Sequence, residues 1–458
     1  MGFRGGFRHA RLRTFAGLGM LSLAAAAAPA LAVSHPQGVR GPFEVQLTHD
    51  ARYAEGEPSI AVNPRNPRNI ILTFLANTGL GAYAVQNQQP PSGRSYIQTI
   101  QGCDFLRTFD GGRSWQRGTL PLTSPRTDPV RTNCSDTLVQ FDANGVAYVI
   151  GGTYQFPAFA AGLGDFRMIS SRDGGRTWSA PSVVTPTYLS PHSNPIGWKG
   201  LRFYDDREFM ALDPQTHTLY VDGTQGRATA NGPRGDTEYL TASDDGGKTW
   251  RNALAVGVAA PSPLGAAYGI VAFTSPPPDA KKTCASCFDF IVSTDGARTF
   301  VRRPSPVIGS SGLLSGADTV ADPSVPGRFD VLTSDSDGNL LLYRTGDAGR
   351  TWSAPTTFGV PGRGVSKTWM AYSPSGVLGV GWRSTKGKGY GFYGAVSYDH
   401  GSTFTVRRIS AQDSPPTDPL WVAGDDTSTI TLTQHMFYAS WGDWRGGSLQ
   451  TWWGGFPI

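Results

Sequence analysis

The chain has 458 residues, only 16% of them charged, with 58 glycines, 34 prolines, 12 tryptophans and a formal net charge of +5. Four of its 40 basic residues lie in the first 13 positions, before any acidic residue, which leaves the rest at 36 basic against 35 acidic. So even a balance gives no general attraction to polyanions and argues against nucleic acid as a partner. No stretch reaches the roughly 18 uninterrupted apolar residues of a membrane span, so insertion into a membrane is not expected.

In chain order, Arg4, Arg8, Arg11 and Arg13 precede an apolar run from Leu18 to Ala28 and then Ala30-Leu31-Ala32. This is the pattern of a signal peptide over 1–32, cleaved near Ala32, which predicts a secreted or periplasmic protein. Residues 33–458 contain no charged or low-complexity linker and read as one domain. Glycine and proline are spread throughout, apolar runs are short and alternating, and no amphipathic helix stands out, which predicts an all-β fold with many hairpins. Cys103, Cys134, Cys284 and Cys287 all follow the leader. Export places them where disulfides persist, and the CxxC at 284–287 lacks the second pair or nearby histidine that a zinc site needs.

The main internal signal is an eight-residue pattern, Ser/Thr-x-Asp-x-Gly-x-Thr/Ser-aromatic. It occurs at 108–115, 171–178, 243–250, 293–300, 345–352 and 397–404, with Ala297 replacing the second glycine in the fourth copy. The central residues Asp110, Asp173, Asp245, Asp295, Asp347 and Asp399 are 63, 72, 50, 52 and 52 residues apart, a blade-sized period. Each copy has the chemistry of a hairpin turn: a carboxylate to accept backbone N–H groups, glycine for positive φ, and an aromatic returning to the sheet. Before each copy comes an apolar strand, a turn and a second apolar strand, as in Pro58 to Pro64 followed by Ile70 to Phe74, and in Glu208 to Pro214 followed by Thr218 to Val221.

Seven such units are present. The last, through His435 to Trp441 and Leu449 to Phe456, supplies only three strands, whereas Phe43 to Thr48 is a strand without a unit. Pairing the two closes a β-propeller of seven four-stranded blades with no raw sheet edge. Six blades is the alternative. On this assignment Cys103 in blade one meets Cys134 in blade two, and Cys284–Cys287 closes a local loop.

The repeated octapeptide resembles the Asp box, or BNR repeat, of secreted sialidase-like propeller proteins. The resemblance implies that the boxes lie on the face opposite the active site, so the six aspartates are expected to be structural. It also implies a cluster of arginines that clamps a substrate carboxylate, a tyrosine nucleophile with an acidic partner, and a separate carboxyl acid/base. The chain departs from the family in lacking a Phe/Tyr-Arg-Ile-Pro segment before the first box; Glu57-Pro58-Ser59-Ile60 stands there instead.

In a propeller the starts of the inner strands and the turns between second and third strands meet at one mouth of the central channel. The first group contains Glu57, Asp136, Asp205, Asp206, Arg207, Asp318, Lys367, Trp369, Asp425 and Asp426, and the second Arg227, Arg383 and Arg445. Glu57, Asp136 and Asp206 are candidate catalytic carboxyls, with Tyr438 as the candidate nucleophile and Tyr268 as its alternative. Arg207, Arg227, Lys367, Trp369, Arg383 and Arg445 are candidate substrate-binding residues. The acidic residues match no compact metal motif, so no metal or cofactor is required, and a calcium ion in the channel is an alternative. The function these residues predict is a monomeric glycosidase acting on terminal acidic sugars of glycans. A non-catalytic glycan- or protein-binding propeller is the second reading. The third is a polysaccharide lyase, with His192, His217 or His435 as base.

Overall fold

The computed structural model describes residues 31–32, 41–50, 54–78, 100–122, 131–155, 164–184, 202–229, 232–257, 262–277, 284, 286–309, 317–387, 389–415 and 427–458. Side chains are described for these except at 31–32, 77–78, 100–101, 131–133, 135, 154–155, 164, 202–207, 225–229, 232–237 and 257. The leader up to residue 30 and the candidates Asp425, Asp426 and His192 lie outside the described residues.

Seven antiparallel sheets form a ring, each entered through its innermost strand. The inner strands are Ala54–Val62, Arg131–Phe141, Arg202–Leu212, Gly265–Ala267, Asp318–Ala321, Gly364–Tyr372 and Thr429–Leu432, for blades 1 to 7. Blade 7 continues through Met436–Asp443 and Gln450–Pro457, and its fourth strand is Phe43–Gln46 from the other end of the chain. Phe43 pairs with Gly455 and Gln46 with Trp452, so the ring closes as the unit count predicts and the six-bladed alternative falls away. Leu31–Ala32 adds a short fifth strand outside blade 1, opposite Ser114 and Trp115.

The octapeptides form the turns between third and fourth strands. Asp347 shows why the residue types recur: its Oδ1 accepts the N–H groups of Arg350 at 2.9 Å and Thr351 at 2.8 Å, and its Oδ2 accepts the Thr351 hydroxyl at 2.7 Å. These bonds hold the carboxyl down at about 2, far below the ordinary carboxylate range. Gly349, at φ +83°, cannot be replaced, because a Cβ there would sit 2.4 Å from the Phe290 ring of the preceding blade. The closing aromatic of the octapeptide then packs into the seam: Trp352 stands edge-on to Phe290 at 5.1 Å, Trp178 to Phe105 at 5.5 Å, and Trp115 to Trp453 at 5.4 Å. One sequence element thus sets both a turn and a blade–blade contact.

These turns share a face with the hairpins that join inner and second strands, since Ala348 N–H donates to Gly327 O at 2.8 Å and Gly296 N–H to Gly269 O at 3.0 Å. The starts of the inner strands are therefore on the opposite face.

Both expected disulfides are present. Cys103–Cys134 ties blade 1 to blade 2 across 31 positions, and Cys284–Cys287 spans three. Closing the longer loop restricts the unfolded chain more than closing the short one, by about 2 kcal/mol in the chain-entropy picture. Cys103→Ser is expected to lower the unfolding midpoint clearly more than Cys284→Ser in matched denaturant titrations. Equal losses would contradict this account of their roles.

Candidate functional site

Four inner strands break register at the same height, between Gly56 and Ser59, Ser135 and Leu138, Asp206 and Phe209, and Ser366 and Trp369. Each break is a β-bulge two residues long, and its first residues are Glu57, Asp136, Arg207 and Lys367. Glu57, Asp136 and Lys367 have φ values of 52°, 49° and 51°. A left-handed backbone at a residue other than glycine costs about 1–3 kcal/mol and persists only where its surroundings enforce it. Here the neighbouring blades do so. Ser440 Oγ donates to Pro58 O at 3.4 Å, Thr73 Oγ1 to Thr137 O at 3.4 Å, and Thr368 Oγ1 to the Asp318 carboxylate. Bulges re-aim side chains, and these lie at the channel mouth on the face opposite the octapeptide turns.

The groups brought to this mouth are of mixed charge and largely shielded from water. Glu57 is 2% exposed and Glu208, in the blade 3 bulge, is 3% exposed, whereas Asp136 and Lys367 are half-buried. Glu55, at the start of the blade 1 inner strand, is buried and paired with Arg117 at 2.5 Å. Burial raises its carboxyl more than the Arg117 guanidinium lowers it. Arg383, 4% exposed, donates to Ser428 Oγ at 3.1 and 2.8 Å and lies 4.5 Å over the Tyr390 ring, in the seam between blades 6 and 7. Directly below the bulges, Trp369 of blade 6 reaches Phe209 of blade 3, ring centroids 6.2 Å apart. Blades 3 and 6 face each other across the ring, so the pair forms an aromatic floor under the mouth.

Other sequence candidates lie elsewhere. Tyr438 is 7% exposed in the seam of blades 7 and 1, stacked on Trp453 at 5.7 Å, and burial pushes its hydroxyl up to about 12. Arg445 is drawn to the outer edge of blade 7, where Glu44 accepts two bonds at 2.8 and 2.7 Å, Asp443 a third at 3.0 Å, and the Trp452 ring lies 4.0 Å away. Tyr268, His217 and His435 belong to hairpins on the octapeptide face. The backbones of Asp205, Asp206, Arg207 and Arg227 follow the blade 3 strands, and their side chains lie outside the described residues. No group of three or more metal-ligating residues occurs among the described residues.

Glu55, Glu208, Asp330 and a facing pair, Asp222 and Glu238, are interior acids that escaped sequence reasoning. Asp222 and Glu238 lie on adjacent strands of blade 3, facing blade 4, where Ser275 Oγ donates to Glu238 at 3.0 Å. Burial pushes both carboxyls well up, Asp222 further by its proximity to Glu238, while Ser275 and Arg302 oppose the shift at Glu238. Burial likewise raises Asp318 to about 8 against the Thr368 hydrogen bond, and Asp330 to about 7 against the Tyr372 hydrogen bond. Between their unfolded values near 4 and these raised values the folded chain binds more protons than the unfolded one. Stability from these groups is therefore complete below pH of about 4 and lost as pH rises toward 8. Glu238→Gln is expected to flatten the fall in melting temperature between pH 5 and 8.5; parallel curves for variant and parent would refute it.

A seven-bladed propeller with a strained, mixed-charge mouth over an aromatic floor is thus the class of protein the fold and the site define. Among solved structures the chain is similar to a protein of unknown function from Dyadobacter fermentans, at 14% identity and a TM-score of 0.51, covering 92% of this chain and 99% of that one. It is also similar to a Hadza microbial sialidase, at 15% identity and a TM-score of 0.49, covering 88% of this chain and 66% of that one. A polysaccharide lyase aligns at 9% identity and a TM-score of 0.45, covering 77% of each chain. At these identities the likeness is one of fold. No protein-family description and no curated protein matches the sequence.

Proposed function

We propose that this chain is an exported, sialidase-like propeller of the Asp-box type that acts on glycans, cleaving a terminal acidic sugar at the mouth opposite the octapeptide turns. The observation that carries the proposal is the set of aligned bulges. Hairpin chemistry does not require them, yet they bring Glu57, Asp136 and Lys367 in left-handed conformation to one rim. Glu57 and Asp136, with Asp206 beside them in the ring, are the carboxyls that donate and accept the proton in glycoside cleavage. Lys367 and Arg383, with Arg207 and Arg227 from blade 3, meet the substrate's acidic group, and Trp369 gives the sugar ring an apolar platform.

A non-catalytic glycan-binding propeller is the second reading. It is favoured by Tyr438 being stacked in the core and by Arg445 being bound to Glu44 and Asp443. The lyase reading has less support, since His217 and His435 are on the other face.

The test is turnover of fluorogenic sialosides and other acidic and neutral glycosides by the purified protein, run beside glycan-array binding. Hydrolysis of any acidic glycoside supports the proposal. Binding without turnover of any glycoside selects the second reading, and unsaturated products from uronate polymers would select the lyase.

A further inference from the structure

Below the aromatic floor the channel holds a cavity of about 400 Å³, walled by the lower halves of the inner strands of all seven blades. Its lining runs down to Pro64, Ala143, Pro214, Pro323 and Pro374, the first residues of the hairpins on the octapeptide face, and includes none of Glu57, Asp136 or Lys367. It therefore opens on the face away from the mouth, and the contact between Trp369 and Phe209 forms its ceiling.

The wall is apolar. Leu138, Leu212, Val320, Met370, Ile430 and Leu432 come from five blades. Five of the polar lining side chains have protein partners, Asp318 through one oxygen only. Ser59 Oγ accepts the Val139 N–H at 3.2 Å, Thr429 Oγ1 accepts the Ile60 N–H at 2.8 Å, and Gln140 Nε2 donates to Met210 O at 2.7 Å. The Tyr372 hydroxyl donates to Asp330 at 2.5 Å. Asp318 holds its carboxyl against Thr368, fully buried. Along the apolar stretches of the wall a water finds few of the two to four polar partners it needs, which favours an apolar molecule that displaces it. The size falls within the range of small-molecule sites.

We propose that this lower channel is a binding site for an uncharged, chain-like apolar molecule, separate from the glycan mouth. The chemistry of the wall selects its ligand. No cationic side chain lines the wall, so a carboxylate inside would lose its hydration without gaining a charged partner. The chain enters from the octapeptide face and stops at Trp369, whose indole senses occupancy.

The experiment uses the full chain and follows intrinsic tryptophan fluorescence and calorimetry with 1-hexanol, 1-octanol and 1-decanol, and with octanoate at pH 8. Saturable binding of one alcohol per chain is expected, tightening about fourfold for each added methylene until the chain fills the cavity. Octanoate should bind at least tenfold more weakly than octanol. Ala371→Trp, which fills the channel from the blade 6 strand, should abolish binding, and Thr431→Asp, which adds a charge to the wall, should weaken it at least tenfold. Retained binding in both variants, no saturable binding to the parent, or octanoate binding as tightly as octanol would overturn the proposal. Glycoside turnover is read in the same samples, so failure here is distinguishable from failure at the mouth.

Discussion

Glu57→Gln and Asp136→Asn are each expected to lower kcat/KM on an acidic glycoside by at least about 100-fold, the lower end of what a positioned proton donor or acceptor contributes. Both changes keep side-chain size and remove the charge or the proton the reaction uses. Both positions carry left-handed backbone held by the adjacent blade, through Ser440 to Pro58 O and Thr73 to Thr137 O, so the amide variants meet the same enforced geometry. Lys367→Met should act mainly through KM, because it removes a cation that meets the substrate and leaves the carboxyls in place. Asp173→Asn is the control, since Asp173 accepts bonds from Arg176, Thr177 and Ser171 within its own turn on the far face. Its expected effect is lower stability with kcat/KM within a factor of three of the parent. If Asp173→Asn removed activity while Glu57→Gln kept it, the active face would have been assigned the wrong way round.

Phe43→Ala is expected to cost about 3–5 kcal/mol of stability, the range for removing a buried aromatic ring from a core that cannot collapse around the gap. Phe43 stands edge-on to Trp453 at 5.0 Å and to Tyr438 at 6.4 Å, in the seam that also holds Trp115, Ile60 and Phe74. It is also the first pairing position of the strand that closes the ring, and Glu44 beside it carries the two bonds to Arg445. Weakening that strand bares the edge of Gln450–Pro457, a template for pairing with another chain. Val45→Ala, on the same strand at a half-buried position, should cost much less. Urea titrations of the three proteins, with light scattering through the transition, give the comparison. A Phe43→Ala loss below about 1 kcal/mol, with no rise in scattering, would mean that the ring closes without this strand.

The bulges show why part of the site was legible and part was not. Glu57, Asp136, Arg207 and Lys367 could be placed at the mouth because inner-strand starts are countable from the octapeptides. Their two-residue register break depends on hydrogen bonds such as Thr368 to Asp318 that link separate blades. No local pattern contains that information. Arg383 and Arg445 occupy like positions in the sequence of their blades, yet one is buried against Ser428 and the other is drawn outward by Glu44, about 400 residues away in the chain. Glu208 and Phe209 could have been aligned with Pro58 and Ser59 had the bulge been known. Asp222 and Glu238 looked like ordinary alternating strand residues, and only the packing of blade 4 against them makes them interior acids.

The sequence by itself predicted seven repeat units with six blades as the alternative, the turn at each octapeptide, the candidate closing strand and the expected disulfides. Each of these rests on contacts short in sequence or repeated often enough to count: an Asp carboxylate meets N–H groups three and four residues on, and a missing fourth strand is visible as a deficit. The tertiary structure alone decided which charged groups share the mouth, which tyrosine and which arginine are withdrawn from it, and that Trp369 and Phe209 meet across the channel. Those outcomes depend on side chains from blades on opposite sides of the ring meeting at its axis, and no local pattern in the chain records a distance across a closed circle.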